Sequence, residues 1–151
     1  SKNRLIPDIY RNRSKIRNKH HVRPWQHVLE AIYGYVILAQ KIDKKRSFAT
    51  NYNFAPNKQN QVSVIKIIKK LKKISDFKYS ISTTKKKLEQ KYLFLDNSKS
   101  KKKLGLFPRW NIDKTLEKTS LGYKKNLKGN SLYIKSVEII EEYLRSYNGT
   151  S

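Results

Sequence analysis

Residues 31–42 read Ala-Ile-Tyr-Gly-Tyr-Val-Ile-Leu-Ala-Gln-Lys-Ile. At helical spacing, Ile32, Tyr33, Tyr35, Val36, Ile37, Leu38 and Ala39 cover most of the circumference. That is too apolar for a surface helix, so a helix buried among other elements is expected. Directly before it stands Arg23-Pro-Trp-Gln-His-Val-Leu-Glu30, a dense polar and aromatic cluster. Pro24 stiffens its start. A rigid basic-aromatic corner at the mouth of a buried helix suits an anionic ligand.

A chain of 151 residues suffices for one domain with a real core. It is short for a dinucleotide domain plus a substrate domain. No apolar run is long enough for a membrane span. No charged-then-apolar leader opens the sequence, so a cytoplasmic location is expected. Without cysteine there is neither a disulfide framework nor thiolate chemistry.

The net charge of +24 points toward nucleic acid. It is spread evenly, however, with 12, 12 and 11 Lys and Arg in successive thirds of the chain. A nucleic-acid footprint is usually a patch, a stripe or a tail. The cations are 27 Lys against 8 Arg, and they come with 15 Ile and 12 Asn. These are the residues that A/T-rich codons encode, so compositional drift is the rival explanation. Either way, weak and salt-dependent binding to polyanions is expected.

Residues 48–54 alternate aromatic and polar side chains and end at Ala55-Pro56-Asn57, as a short strand closed by a turn does. Apolar residues at 64, 65, 67, 68, 71 and 74 predict a helix over 62–74, with Ser63 as a plausible N-cap. Its face of Lys66, Lys69, Lys70, Lys72 and Lys73 reads as solvated. Residues 77–82 alternate as a strand, and 83–87 form a basic loop. Residues 92–95 read as another short strand. Asp96 is placed to cap a short helix over 97–104 that Gly105 stops. A helix over 112–127 follows, with Asp113 at its start, where a carboxylate suits the dipole. A last helix is expected over 136–143. Trp25 and Trp110 read as core or pocket wall, Arg109 as a cation–π partner of Trp110. His27 reads as a packed, hydrogen-bonded side chain, and His20 and His21 have no acidic neighbour in sequence.

The octapeptide Arg23–Glu30, followed by Gly34-Tyr35 and Leu38-Ala39, resembles the signature of CDP-glucose 4,6-dehydratases. These are extended short-chain dehydrogenase/reductase enzymes acting on nucleotide sugars. Leu5-Ile-Pro-Asp8 resembles a segment that lies well inside such an enzyme, where Asp8 would start a helix. Asn53-Phe-Ala-Pro56 is similar to the family's Asn-Phe-Gly-Pro, with Tyr52 for Trp and Ala55 for Gly. Asp96-Asn-Ser-Lys-Ser, Lys103-Leu-Gly, Pro108-Arg-Trp-Asn-Ile-Asp, Leu116-Glu-Lys-Thr and the closing residues 136–143 resemble the family's C-terminal part. The resemblance runs in order through nearly the whole chain.

It implies an α/β fold: the C-terminal, substrate-side part of an extended short-chain dehydrogenase/reductase. Helices would dominate, with a few short strands, and residues 1–151 would form one substrate-binding portion. The family oxidises the sugar at C4 with bound NAD, loses water across C5 and C6, and returns the hydride to C6. It is thus a lyase serving deoxysugar and surface polysaccharide synthesis. The glycines at 34, 105, 122, 129 and 149 form no dinucleotide fingerprint. No tyrosine has Lys four residues on, so the family's Tyr-x-x-x-Lys pair is absent. The Rossmann NAD-binding domain is therefore expected to be missing, and this chain alone is expected to bind no NAD and to be inactive. A separate chain would supply the catalytic domain.

The resemblance also implies substrate contacts for CDP-glucose: Arg23 to the diphosphate, Glu89 to the nucleotide ribose, and Lys86 as a second phosphate contact. Two alternatives stay open. Charge alone suggests a small basic nucleic-acid-binding protein. The early arrival of Ile16-Arg17-Asn18, with Ala55 and Leu88 at altered family positions, suggests a degenerate gene product.

Overall fold

The computed structural model describes residues 14–75, 79–82, 89–122 and 129–148. The helix expected to start at Asp8, the basic loop over 83–87, and Lys86 and Leu88 lie outside these residues. The elements run β1 (Ser14–Ile16), β2 (Val22–Pro24), α1 (Val28–Lys44), β3 (Gln61–Ser63), α2 (Val64–Ile74), β4 (Tyr79–Ile81), α3 (Ser98–Leu104), α4 (Ile112–Gly122) and α5 (Asn130–Asn148). Helices dominate and the strands are short, as expected of a partial α/β fold. The chain divides into two units. One holds the described residues up to Arg23 together with Val62–Leu93. The other holds Pro24–Gln61 and the residues from Phe94 onward.

In the first unit β1 pairs in parallel with β4, Ser14 opposite Tyr79 and Ile16 opposite Ile81. Two-residue alternation had pointed to this strand over 77–82. α2 begins where the apolar spacing placed it, with Ser63 at the N-cap position but no side-chain hydrogen bond. The first free N–H groups of a helix need acceptors. Here Val64 N–H donates to the His21 carbonyl at 2.9 Å, and Ile65 N–H to the Lys19 carbonyl at 2.8 Å. Ile67 and Ile68 are the buried side chains of α2. The expected strand over 92–95 shrinks to a single parallel bridge, Val22 to Tyr92. Leu93, Phe94 and Leu95 are exposed, so their side chains face no core.

The second unit is built on α1, α3, α4 and α5. Its core is Trp110, Ile139 and Tyr143, against which Leu29, Tyr33, Leu121 and Tyr147 pack. The rings meet edge to face, Trp110 on Tyr143 at 5.1 Å and Tyr33 on Tyr143 at 5.9 Å, the arrangement that aromatic quadrupoles favour. α3 starts one residue later than expected, with Asn97 at the N-cap position, and Asp96 supports it from the residue before: its carboxylate accepts from Ser98 N–H at 2.9 Å and Ser98 Oγ at 2.6 Å. Gly105 ends the helix with φ +72°, a left-handed conformation that glycine adopts without a Cβ clash. α4 reaches Gly122 within the described residues, and the rest of the predicted 112–127 helix lies outside them. α5 is longer than the expected 136–143.

Three expectations are corrected in this unit. Residues 48–54 form no strand: a 3₁₀ turn over Arg46–Phe48 leads into irregular chain. Side chains satisfy that backbone instead of a ladder, Ser100 Oγ donating to the Asn53 carbonyl at 2.8 Å and Gln26 Nε2 to the Phe54 carbonyl at 2.9 Å. Arg109 does not pack on Trp110. Its guanidinium lies over the Tyr147 ring at 4.2 Å, because the ring of Trp110 is in the core. Finally, α1 is not buried all round. Glu30 and Gly34 are its buried residues, whereas Val28, Ile32, Tyr35 and Val36 are exposed.

Candidate functional site

Arg23 sits on β2 in the first unit, and two features of local folding position it. The carbonyls of Lys19 and His21 serve as caps for α2, which holds the 19–21 turn in place. On the other side, Val22 N–H donates to the Lys91 carbonyl at 2.9 Å and Leu93 N–H to the Val22 carbonyl at 3.2 Å. That bridge lays residues 89–91 alongside Arg23.

The guanidinium is held from several directions. Nη1 donates to the carbonyls of Val22 at 2.8 Å and Gln90 at 3.0 Å. Nη2 lies 3.0 Å from His21 Nδ1 and 3.8 Å from Glu89 Oε2. A guanidinium can only donate, so His21 Nδ1 accepts and the ring proton is on Nε2. Glu89 Oε2 in turn accepts from Asn18 Nδ2 at 2.8 Å and stands 3.7 Å from His21 Nδ1. Sequence reading missed both His21 and Asn18. His21 lacked an acidic neighbour along the chain, and only folding brings Glu89 to it.

Arg23 retains 26 % exposure and Glu89 47 %. Both groups can therefore be reached from solvent. With both Nη1 hydrogens donated to carbonyls and one Nη2 hydrogen to His21, the guanidinium would meet a phosphate oxyanion through Nε–H and the second Nη2 N–H. A carboxylate beside it can accept from hydroxyls. The structure brings Arg23 and Glu89 together, and Lys86 lies outside the described residues. Among those residues no cluster of His, Asp and Glu could hold a metal ion.

The other polar residues of the octapeptide build the second unit. His27 is the N-cap of α1: its Nδ1 accepts from Leu29 N–H at 3.3 Å, and its ring meets Trp110 edge-on at 4.9 Å. Burial pushes its pKa below the ordinary value of 6.5. It is thus the packed side chain expected. Glu30 is buried, and its Oε1 accepts from the N–H groups of Arg109 at 3.0 Å and Trp110 at 2.9 Å. Its Oε2 accepts from the Tyr143 hydroxyl at 2.8 Å. Burial, then the neighbouring Tyr147 and Glu30, push the Tyr143 phenol far above its usual range, so it stays a donor. Glu30 therefore accepts from three structural donors.

This unit also has an open groove of about 1030 Å³ flanked by Lys58, Asp96, Asn97 and Lys101. Two of its charged groups, Asp96 and Lys101, are already engaged. Hydrogen bonds from Ser98 hold the Asp96 carboxyl below its usual range, and Lys101 Nζ donates to Asn57 at 3.0 Å. Ala55 is buried at 3 % exposure, and the Asn97 side chain donates to its carbonyl at 2.8 Å, so the methyl in place of hydrogen is packed.

No protein-family model matches the chain. At the level of class, the chain is similar to nucleotide-sugar dehydratases. In particular, it is 34 % identical over 152 aligned residues to the CDP-glucose 4,6-dehydratase of Salmonella typhimurium, a match spanning 95 % of this chain. It covers 42 % of that enzyme, so the chain spans less than half the length of the relative it matches. The resemblance read from the octapeptide is thus shown, and it is a resemblance to part of a dehydratase.

Proposed function

We propose that this chain is the substrate-side portion of a CDP-glucose 4,6-dehydratase of the extended short-chain dehydrogenase/reductase class. Arg23 would bind the diphosphate of CDP-glucose and Glu89 the ribose, with Lys86 as a further phosphate contact. The observation that carries this reading is the meeting of Arg23 and Glu89. They are distant in sequence, they are the two positions to which the resemblance assigns the phosphate and ribose contacts, and they lie 3.8 Å apart. The identity to a dehydratase over nearly the whole chain supports the same substrate.

NAD does not fit the described residues of this chain. Gly34 lies inside α1, Gly105 ends α3 and Gly129 precedes α5, so no pair of them forms a phosphate-cradling loop. We therefore derive no step through it; NAD and the catalytic Tyr-x-x-x-Lys would belong to the part of the dehydratase that this chain does not match. Within the assembled enzyme this chain orients the sugar nucleotide. The product would be a 4-keto-6-deoxy sugar nucleotide for surface polysaccharide, made in the cytoplasm. Among the described residues no helix is long and apolar enough to cross a membrane.

Calorimetric titration with CDP-glucose tests the reading. Saturable binding is expected, weakened about tenfold by Arg23→Ala, the loss of one charge-assisted bidentate contact. Binding unchanged in Arg23→Ala, or dehydration of CDP-glucose by this chain alone with added NAD, would overturn it.

A further inference from the structure

His21 stands between the two groups that the substrate reading uses. Its Nδ1 lies 3.0 Å from Arg23 Nη2 and 3.7 Å from Glu89 Oε2. One ring nitrogen therefore faces a cation on one side and a carboxylate on the other. The ring can serve only one of them at a time. Neutral, with its proton on Nε2, it accepts from the guanidinium at Nδ1 and has no N–H there for Glu89. Protonated, it has an N–H at Nδ1 that cannot accept, and a positive charge 3.0 Å from another. The same N–H then stands 3.7 Å from a carboxylate, a small rotation from a charge-assisted hydrogen bond.

The backbone under the ring stays put through such a rotation. His21 N–H donates to the Asn18 carbonyl at 3.1 Å, and the His21 carbonyl accepts from Val64 N–H at 2.9 Å. Among the described residues, the charged groups facing the ring are Arg23 of β2 and Glu89 of the 89–91 segment. α2, packed on the same turn, meets it with the uncharged Val64 N–H and carries lysines but no carboxylate. The Lys91 amine lies over the neighbouring Tyr92 ring at 5.3 Å. His20, the preceding residue, is of the same titrating type. Holding one Nη2 hydrogen of a planar guanidinium aims the other and the Nε–H. These are the two that a phosphate would meet.

We propose that His21 is a positioning residue of this site and makes its hold on the sugar nucleotide depend on pH. Neutral His21 aims the Arg23 fork at the diphosphate and leaves the Glu89 carboxylate to the ribose hydroxyls. A proton on Nδ1 releases Nη2 and engages the carboxylate. Binding therefore weakens from about pH 8 to about pH 5.5, the range in which imidazoles titrate. For the identity of the ligand, this rests on the substrate reading above. The rival role, His21 as a further cation for the diphosphate, has the opposite sign, since protonation would then tighten binding.

Calorimetric titration of the full chain with CDP-glucose should show binding about tenfold weaker at about pH 5.5 than at about pH 8. A diphosphate diester keeps its charges over this range, so the change belongs to the protein. His21→Asn supplies an acceptor that takes no proton, and should bring the two affinities within about twofold of each other. His21→Leu removes the acceptor and should bind about tenfold more weakly than the parent at about pH 8, again without pH dependence. His20 and His27 remain in both variants. A pH dependence that survives in either variant, or tighter binding by the parent at the lower pH, overturns the proposal. A second measurement needs no ligand. Nitrogen NMR should find the His21 proton on Nε2 at about pH 8, and Arg23 Nη signals that are distinct there and merge at about pH 5.5. A ring proton on Nδ1 at the higher pH, or Arg23 signals indifferent to pH, overturns the proposal whatever the titrations give. A parent that binds no CDP-glucose at either pH while these signals respond sinks the substrate reading and leaves the hold of His21 on Arg23 standing.

Discussion

His27 joins helix capping to the core. Its Nδ1 accepts from Leu29 N–H, and its ring lies against Trp110. A proton on Nδ1 would remove that acceptor and place a positive charge at a helix N-terminus, where the dipole disfavours it. Burial lowers the folded pKa below 6.5. Between the two values the unfolded chain binds more protons than the folded one, so stability rises with pH. The contribution is fully present above 6.5 and is lost as pH falls from there toward the lowered folded value. Urea melts at closely spaced pH values should show this loss, with a slope no steeper than about 1.4 kcal/mol per pH unit, the limit for one proton. His27→Asn, which retains a capping acceptor without the titration, should flatten that part of the profile.

Among the elements, Glu30 is the point where three pieces of the second unit meet. It stands on the first turn of α1 and accepts from the backbone of 109–110 and from Tyr143 on α5. Nearby, Lys114 and Lys118 of α4 both pair with Glu142 of α5. The hydrogen bond from Lys114, then that from Lys118, hold the Glu142 carboxyl below its usual value. The Glu142 pairs are partly exposed and screened, so the buried knot at Glu30 matters more. Glu30→Ala leaves two backbone N–H groups and a phenol without their acceptor and should cost on the order of 3 kcal/mol. Glu30→Gln retains one carbonyl oxygen for both N–H groups and should recover most of that. Thermal denaturation of the three proteins checks the order. Equal melting temperatures for Glu30→Ala and the parent would show that the knot contributes nothing.

For the whole molecule, charge dominates. Thirty-five basic residues face 11 acidic ones, so folding gathers like charges that the unfolded chain spreads apart. Added salt screens that repulsion within about 10 Å at 0.1 M. The melting temperature should therefore rise from low salt to about 0.15 M. A fall would mean that the ion pairs at Glu89, Glu117, Glu138, Glu141 and Glu142 outweigh the net repulsion.

Periodicity located α1, α2 and β4, and punctuation located the ends of α3, because these depend on spacing and on single residues such as Asp96 and Gly105. The same reading placed strands at 48–54 and 92–95 that do not form. A strand needs a neighbour, and nothing in a short alternating segment says whether one exists. The octapeptide was legible as a signature, yet its residues divide between tasks that only folding separates: Arg23 faces Glu89, while His27 and Glu30 serve the core. The sequence by itself determined that α1 is apolar over most of its circumference, since composition and spacing need no coordinates. The tertiary structure decided which side is covered, and which distant carboxylate meets which cation, because both are contacts between residues far apart along the chain.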